Sequence, residues 1–287
     1  MKLISFLHQG TPSYGIVNGD DVLDLTPVLG DKAADLKALI ANNMLPAAAA
    51  ALKSNQPTLR YSQLTLLPVI PNPNKIVCVG LNYAEHVRET GREITESPAI
   101  FLRLSGSQVA HRQDIVRPPE STRLDYEGEI ALVISKSGRR ISEADAWSHI
   151  AGYACYNDGS VRDWQNQTSQ WTAGKNFWRT GGFGPWLVTA DDIKPDQVMT
   201  LVTRLNGQEM QRTTTDKMIH SIPRQLAYIS TFIPLEAGDV IVTGTPGGVG
   251  NKRNPQVFMK PGDVVEIDVD AIGILRNGIR DDVKAPA

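Results

Sequence analysis

The sequence predicts a mainly β fold of the α+β class, and three observations carry that reading. From Lys75 onward the chain is a series of short apolar runs, rich in Val and Ile and bounded by Gly, Pro and Asp, which is the pattern of strands. Helical patterning is confined to a few stretches. No fixed-period repeat is visible, which excludes solenoids and propellers. The 287 residues suffice for one large domain, or one domain with a small appendage, burying roughly three quarters of the unfolded surface.

In chain order, Leu3 to Leu7 and Ser13 to Val17 read as strands, and Asn18-Gly19-Asp20-Asp21 as the turn into a third at Val22 to Leu25. The alanine-rich stretch Ala33 to Lys53 has the composition of one or two helices, broken near Asn42-Asn43. Three prolines between Leu67 and Pro73 remove donors and fix φ, so this segment is read as a linker. It divides a small N-terminal unit, residues 1–70, from a larger region, residues 71–287. Strands are expected at Ile76 to Val79, Ile130 to Ile134, Ala151 to Tyr156, Trp186 to Val188, Val198 to Leu205, Asp239 to Val242 and Val264 to Val269. Helices are expected around Tyr83 to Glu89, Ser142 to Ile150 and Ser221 to Thr231.

Charge and composition narrow the function classes. A formal charge of −2 supplies no field to attract nucleic acid or an anionic membrane. The opening MKLISFLHQG meets polar residues too soon for a signal-peptide core, and no eighteen apolar residues run together, so a cytoplasmic location is expected. Cys78 and Cys155 lie in apolar segments and read as buried thiols of a reducing compartment.

The informative segment is Asp125-Tyr126-Glu127-Gly128-Glu129-Ile130-Ala131-Leu132-Val133-Ile134. As a strand it sets Glu127 and Glu129 on one face with Ala131 and Val133. Both faces are otherwise apolar, and burying two like charges there costs several kcal/mol, at roughly the scale of an unpaired ion, unless protons or a cation compensate. Asp158 adds a third carboxylate as the strand Ala151 to Tyr156 ends, and three carboxylates suit Mg²⁺ or Mn²⁺. An arginine-compensated cluster, with Arg123 and Arg162 as partners, fits the spacing as well.

His86 and Glu89 stand three apart on an expected helix, so the carboxylate can orient the imidazole as a general base. An idle surface pair is the plainer alternative. Lys175, among aromatics and Gly174, is placed to polarise a carbonyl or bind an enolate if partly buried, and is otherwise an exposed lysine. His8, His111 and His149 are isolated and read as structural. The loop Thr243-Gly244-Thr245-Pro246-Gly247-Gly248-Val249-Gly250 can turn backbone N–H groups toward an anion. It lacks the Lys-Ser/Thr ending of a phosphate loop, and the chain has no Gly-x-Gly-x-x-Gly, so nucleotide readings fall away.

Taken in order, GLNYAEHVRE (80–89), LDYEGEIALVI (124–134), YNDGSVRDWQ (156–165), the WTAGKNF…GPW stretch (171–186), TGTPGGVG (243–250) and PGDVVEIDVDAIGILRN (261–277) resemble the fumarylacetoacetate hydrolase family. The resemblance implies that family's mixed β-sandwich roll, here with a small N-terminal α/β appendage, usually as a homodimer. It implies Mg²⁺ or Mn²⁺ on Glu127, Glu129 and Asp158, with His86 and Glu89 activating water on a lid and Lys175 polarising the substrate. Thr245, Arg162 and Gln165 fall at substrate or supporting positions. Arg103 or Arg117 is a candidate for a second substrate carboxylate.

The implied activity is carbon–carbon cleavage of a 1,3-diketo acid in aromatic-compound catabolism. An acylpyruvate such as maleylpyruvate or fumarylpyruvate would give pyruvate and an acid. Isomerisation of a hydroxy-dienedioate, or decarboxylation of oxaloacetate, shares the same enolate. A non-catalytic binder has no use for a water-activating dyad. Three departures from the family pattern bear on the pocket: Gly159-Ser160-Val161 after the Asn-Asp pair, the run Phe101 to Ser105, and His220 in place of an apolar residue.

Overall fold

The computed structural model describes residues 1–283. The N-terminal part holds β1 (Lys2–His8), β2 (Thr11–Asn18), β3 (Asp21–Asp24), α1 (Thr26–Leu29), α2 (Leu36–Ala41), α3 (Leu45–Ser54), β4 (Leu59–Arg60) and β5 (Thr65–Leu66). Next come β6 (Ile76–Gly80), α4 (Ala84–Thr90), β7 (Ala99–Arg103), β8 (Gln108–Val109), β9 (Ile115–Arg117), β10 (Leu124–Asp125) and β11 (Gly128–Ile134). They are followed by β12 (Ile150–Asn157), β13 (Ser160–Val161), α5 (Arg162–Gln165), α6 (Thr172–Lys175) and β14 (Gly181–Thr189). The chain closes with β15 (Thr200–Leu205), β16 (Gln208–Thr214), α7 (Ile222–Phe232), β17 (Val240–Val242), β18 (Val264–Val269) and β19 (Gly273–Asp281).

The large sheet runs β4-β3-β2-β1-β14-β12-β11-β17-β6-β7, with β5 joined to β1 and β8 to β14. A second sheet, β16-β15-β18-β19-β9, packs over its centre, and β10 pairs with β13 nearby. Most pairs are antiparallel, while β17–β6, β14–β8 and β19–β9 are parallel. The result is the mainly β, mixed sandwich that the sequence predicts.

Strand β11 lies at the centre and its alternation builds both core layers. Ile130, Leu132 and Ile134 enter the layer between the sheets, against Leu201, Val265 and Ile267. Ala131 and Val133 face the other way, into the layer containing Leu36, Leu39, Ile40 and Ala48 of the N-terminal helices. Residues 1–70 extend the large sheet, with Lys2 opposite Val188 and Leu3 opposite Leu187. The proline segment after β5 has neither helix nor strand, yet Val69 and Ile70 are buried in the helix-covered layer.

The helix expected over Ser142 to Ile150 is instead a single tight turn, Ala146–His149. Ile150 pairs with Ile134 and starts β12; tertiary pairing overrides local propensity there. The helix break near Asn42-Asn43 is where Asn43 takes a positive φ of 53°. Cys78 and Cys155 are buried free thiols. Among the described residues no helix is long and apolar enough to cross a membrane.

His111 is held neutral by this packing. Its Nδ1 accepts the Arg276 N–H at 3.0 Å, and burial, with Arg112 and Arg276 nearby, pushes its pKa down to about 4. Below its ordinary value the unfolded chain takes up a proton that the fold excludes, so stability falls as pH drops from 6.5 toward 4, by up to about 3 kcal/mol. His111→Gln should flatten that part of the urea-unfolding profile. An unchanged slope would show that burial of this ring does not govern it.

Candidate active site

The two antiparallel strands β11 and β12 create the carboxylate cluster. Gly128 pairs with Asn157 and Glu129 with Tyr156, so Asp158, one residue past β12, arrives beside Glu127 and Glu129. The corner is tied by Asp158 N–H donating to Glu127 O at 2.8 Å and Glu127 N–H donating to Asn157 Oδ1 at 2.9 Å. A Cβ on Gly128 would lie 2.0 Å from Thr203 Oγ1 of β15, so glycine is required for the sheets to approach between the two glutamates. Glu127, Glu129 and Asp158 each offer an oxygen within 4.8 Å of the others, and all three are buried.

Three cations line the back of the cluster. Lys175 Nζ lies 2.6 Å from both Glu127 Oε2 and Asp158 Oδ2. Arg162 Nη1 meets Glu127 Oε1 at 2.7 Å while its Nε holds Asp125 Oδ2 at 2.8 Å. Arg103 Nη1 reaches Asp158 Oδ1 at 2.5 Å and Gly159 O at 2.8 Å. Burial pushes the Glu127 carboxyl up, but Lys175 and Arg162 outweigh it and hold it well below the usual range. Burial alone would also discharge Lys175; Asp158 and Glu127 keep it protonated.

Glu129 is different. Its hydrogen bond comes from Gly244 N–H at 2.5 Å, and among the described residues no cation pairs with it. Burial and the charges of Asp158 and Glu127 raise its pKa well above the ordinary value. Asp125, Glu127, Glu129 and Asp158 thus face Arg103, Arg162 and Lys175, leaving one negative charge unmatched. An all-oxygen donor set with an uncompensated carboxylate fits a hard divalent cation.

The dyad expected on a helix is formed on α4. His86 Nδ1 and Glu89 Oε1 are 2.7 Å apart, and the second Glu89 oxygen accepts Gly248 N–H at 2.8 Å. The glycine-rich loop does collect anions, but they are the protein's own. Gly244 N–H serves Glu129, Gly248 N–H serves Glu89, and Gly250 and Asn251 N–H groups serve Asp125 at 2.8 and 2.9 Å. Gly248 has φ 101°, and a Cβ there would lie 2.4 Å from Met210 O.

A cavity of about 130 Å³ opens onto the cluster. His86, Glu127, Glu129, Arg162, Gln165, Lys175 and Thr245 all line it. Arg162 keeps one buried nitrogen, Nη2, without a protein partner. Gln165 Oε1 accepts from Arg162 at 2.9 Å, and Thr245 Oγ1 donates to Gly128 O at 3.0 Å.

Two expectations need correction. Arg103 is 2% exposed, donates to Asp158 and, at 3.0 Å, to Thr180 Oγ1, and does not line the cavity, so it holds a carboxylate of the protein. Arg117 pairs with Asp281 at 2.7 Å on β9, away from the cavity. Arg123 likewise turns to Asn251, and Arg103 and Lys175 join Arg162 in its place. His220 is buried with its N–H donating to Asn82 Oδ1 and does not line the cavity. Sequence reasoning passed over Asp125 as a holder of Arg162 and of the loop, although it heads the same acidic segment. It also missed Gln211, which ties Thr245 Oγ1 and Gly128 N at 2.9 and 3.0 Å from a strand with no local signal.

A β-sandwich with this buried carboxylate corner and histidine–glutamate helix defines a class. The chain belongs to the fumarylacetoacetate hydrolase family: residues 75–280 match "Fumarylacetoacetate (FAA) hydrolase C-terminal". Members of this family are enzymes: hydrolases, isomerases and tautomerases.

Among particular relatives, the chain is 36% identical over 288 residues to the mitochondrial oxaloacetate tautomerase FAHD2A of Bos taurus, covering 97% of this chain and 91% of that one. A putative HpcE protein from Mycobacterium smegmatis superposes with a TM-score of 0.89 at 29% identity, covering 99% of this chain and all of that one. A maleylpyruvate hydrolase from Sphingobium sp. SYK-6, solved in complex with manganese(II) ion and pyruvate, gives 0.83 at 25% identity, again over 99% of this chain and all of that one.

The charge arrangement makes two stability predictions for the metal-free protein. Arg103→Met removes one partner of a buried pair and should lower unfolding free energy by about 3 kcal/mol or more in urea titrations. Glu129→Gln should act in the opposite direction. The raised pKa means the ionised carboxyl loses stability as pH climbs above the ordinary carboxylate range, and the amide removes that loss. Equal destabilisation by both variants would refute the assigned imbalance.

Proposed function

We propose that this chain is a Mg²⁺- or Mn²⁺-dependent enzyme of small 2-oxo diacids that interconverts the keto and enol forms of oxaloacetate. The observation that carries this reading is the lining of the cavity, which brings a carboxylate corner, Lys175 and the His86–Glu89 pair together. Similarity to oxaloacetate tautomerases over nearly the whole chain supports it.

Glu127, Glu129 and Asp158 would hold the metal. When bound, the ion supplies Lewis acidity toward the substrate's 2-oxo and carboxylate oxygens. Arg162 Nη2, a buried donor without a protein partner, takes a carboxylate oxygen of the substrate. Glu89 holds His86 Nδ1, which leaves Nε2 available to the cavity. His86 Nε2 removes a proton from the carbon beside the 2-oxo group, and the C–H electrons become the C=C bond of the enol. Lys175 stabilises the oxygen on which negative charge collects, and the proton that His86 took from carbon is given back to that oxygen, which completes the enol and restores the neutral imidazole.

Hydrolysis of maleylpyruvate or a similar acylpyruvate is the second reading. The orientated His86–Glu89 pair is equally suited to activating water, and the manganese-containing maleylpyruvate hydrolase has the same fold. A homodimer belongs to the proposal too, supported by exposed Leu102, Leu104 and Trp178 about the edge strand β7.

With Mn²⁺ supplied, purified protein should accelerate decay of the oxaloacetate enol absorbance, and chelator should abolish the effect. His86→Ala should lower kcat by at least about a hundredfold. Pyruvate release from maleylpyruvate with no effect on the enol would replace the first reading by the second.

A further inference from the structure

On the reading of this cavity as a 2-oxo diacid site, we propose that Arg92 is the specificity-determining residue for the substrate's second carboxylate. It follows Gly91, which ends α4 in the left-handed conformation at φ 70°. Gly91 N–H donates to Arg88 O at 3.1 Å and Arg92 N–H to Val87 O at 3.2 Å, so the backbone of Arg92 is fixed to the helix that carries His86.

The side chain is ordered by an aromatic wall. The Arg92 guanidinium lies 5.2 Å over the Trp171 ring, Trp171 meets Phe101 edge-on at 5.4 Å, and Lys175 Nζ lies 4.9 Å from the Phe101 ring. Gly80 at the end of β6 makes room for this wall, because a Cβ there would lie 2.5 Å from Trp171. All of these residues line the cavity.

The wall therefore carries a cation at each end, and the two differ. Lys175 is buried at the carboxylate corner and pairs with Glu127 and Asp158. Arg92 is exposed at the mouth and pairs with no carboxylate among the described residues. An acid whose chelating end sits at the carboxylate corner extends along the wall, and only a second carboxylate brings it onto Arg92. A guanidinium already stacked on an indole loses little freedom in binding, and its fork matches a carboxylate. Lys252 also reaches the mouth but stacks on no ring among the described residues.

Calorimetric titration of the manganese-saturated protein with malate and with lactate tests this, since the two chelate alike and differ in the distal carboxylate. Unmodified protein should prefer malate by at least about tenfold. Arg92→Met should erase the preference while leaving lactate and Mn²⁺ affinities unchanged, and Arg92→Lys should restore part of it. Absence of a preference in the unmodified protein overturns the proposal. So does a preference that survives Arg92→Met, or one lost in Lys252→Met instead. Loss of the preference in Arg92→Met beside a protein inert toward oxaloacetate would reject the reaction and uphold this role of Arg92.

Discussion

Four carboxylates enclosed in one small volume are the constraint around which this molecule is arranged. Such a concentration of like charge is untenable in a protein interior unless each oxygen is met by a donor or a cation. Arg103 from the edge strand β7, Arg162 from α5 and Lys175 from α6 are drawn inward for that purpose. Asn176 extends the arrangement: it donates to Leu102 O at 3.0 Å and accepts Leu104 N–H at 2.7 Å, fastening the end of α6 to β7. The compensation stops one charge short, and the deficit falls on Glu129, at the edge of the cavity.

Much of this was legible in the sequence because it depends on local periodicity. Alternation in β11 correctly put Glu129 with Ala131 and Val133, and three-residue spacing correctly paired His86 with Glu89. Breakers marked most strand ends for the same reason. What was not legible depends on contacts between distant parts of the chain. The identity of the compensating cations is one case: Arg123 is nearer the glutamates in sequence, but it turns to Asn251 while Arg103 pairs with Asp158 of the cluster. The turn at Ala146–His149 is another, since Ile150 is claimed by pairing with β11. Glycine Gly128 reads as a weak point in a strand until β15 is seen to pass 2.0 Å from its missing Cβ.

The chemistry and the choice of substrate reside in different layers. Depth holds the carboxylate corner, its cations and the His86 imidazole oriented by Glu89. The relatives include an oxaloacetate tautomerase and a maleylpyruvate hydrolase, so one fold spans more than one reaction. The aromatic rim of Phe101 and Trp171, by contrast, lines the cavity's approach beside Arg92.

The glycine-rich loop has a consequence for how such a protein can diverge. Its amides serve Glu129, Glu89 and Asp125 at once. A substitution in this loop therefore disturbs the charge balance at Glu129, the hold on Glu89 beside His86 and the anchoring of Arg162 through Asp125 together. Phe101, Trp171 and their neighbours at the entrance carry no comparable burden. The entrance is therefore the part of this scaffold where a substitution disturbs the fewest bonds of the carboxylate corner.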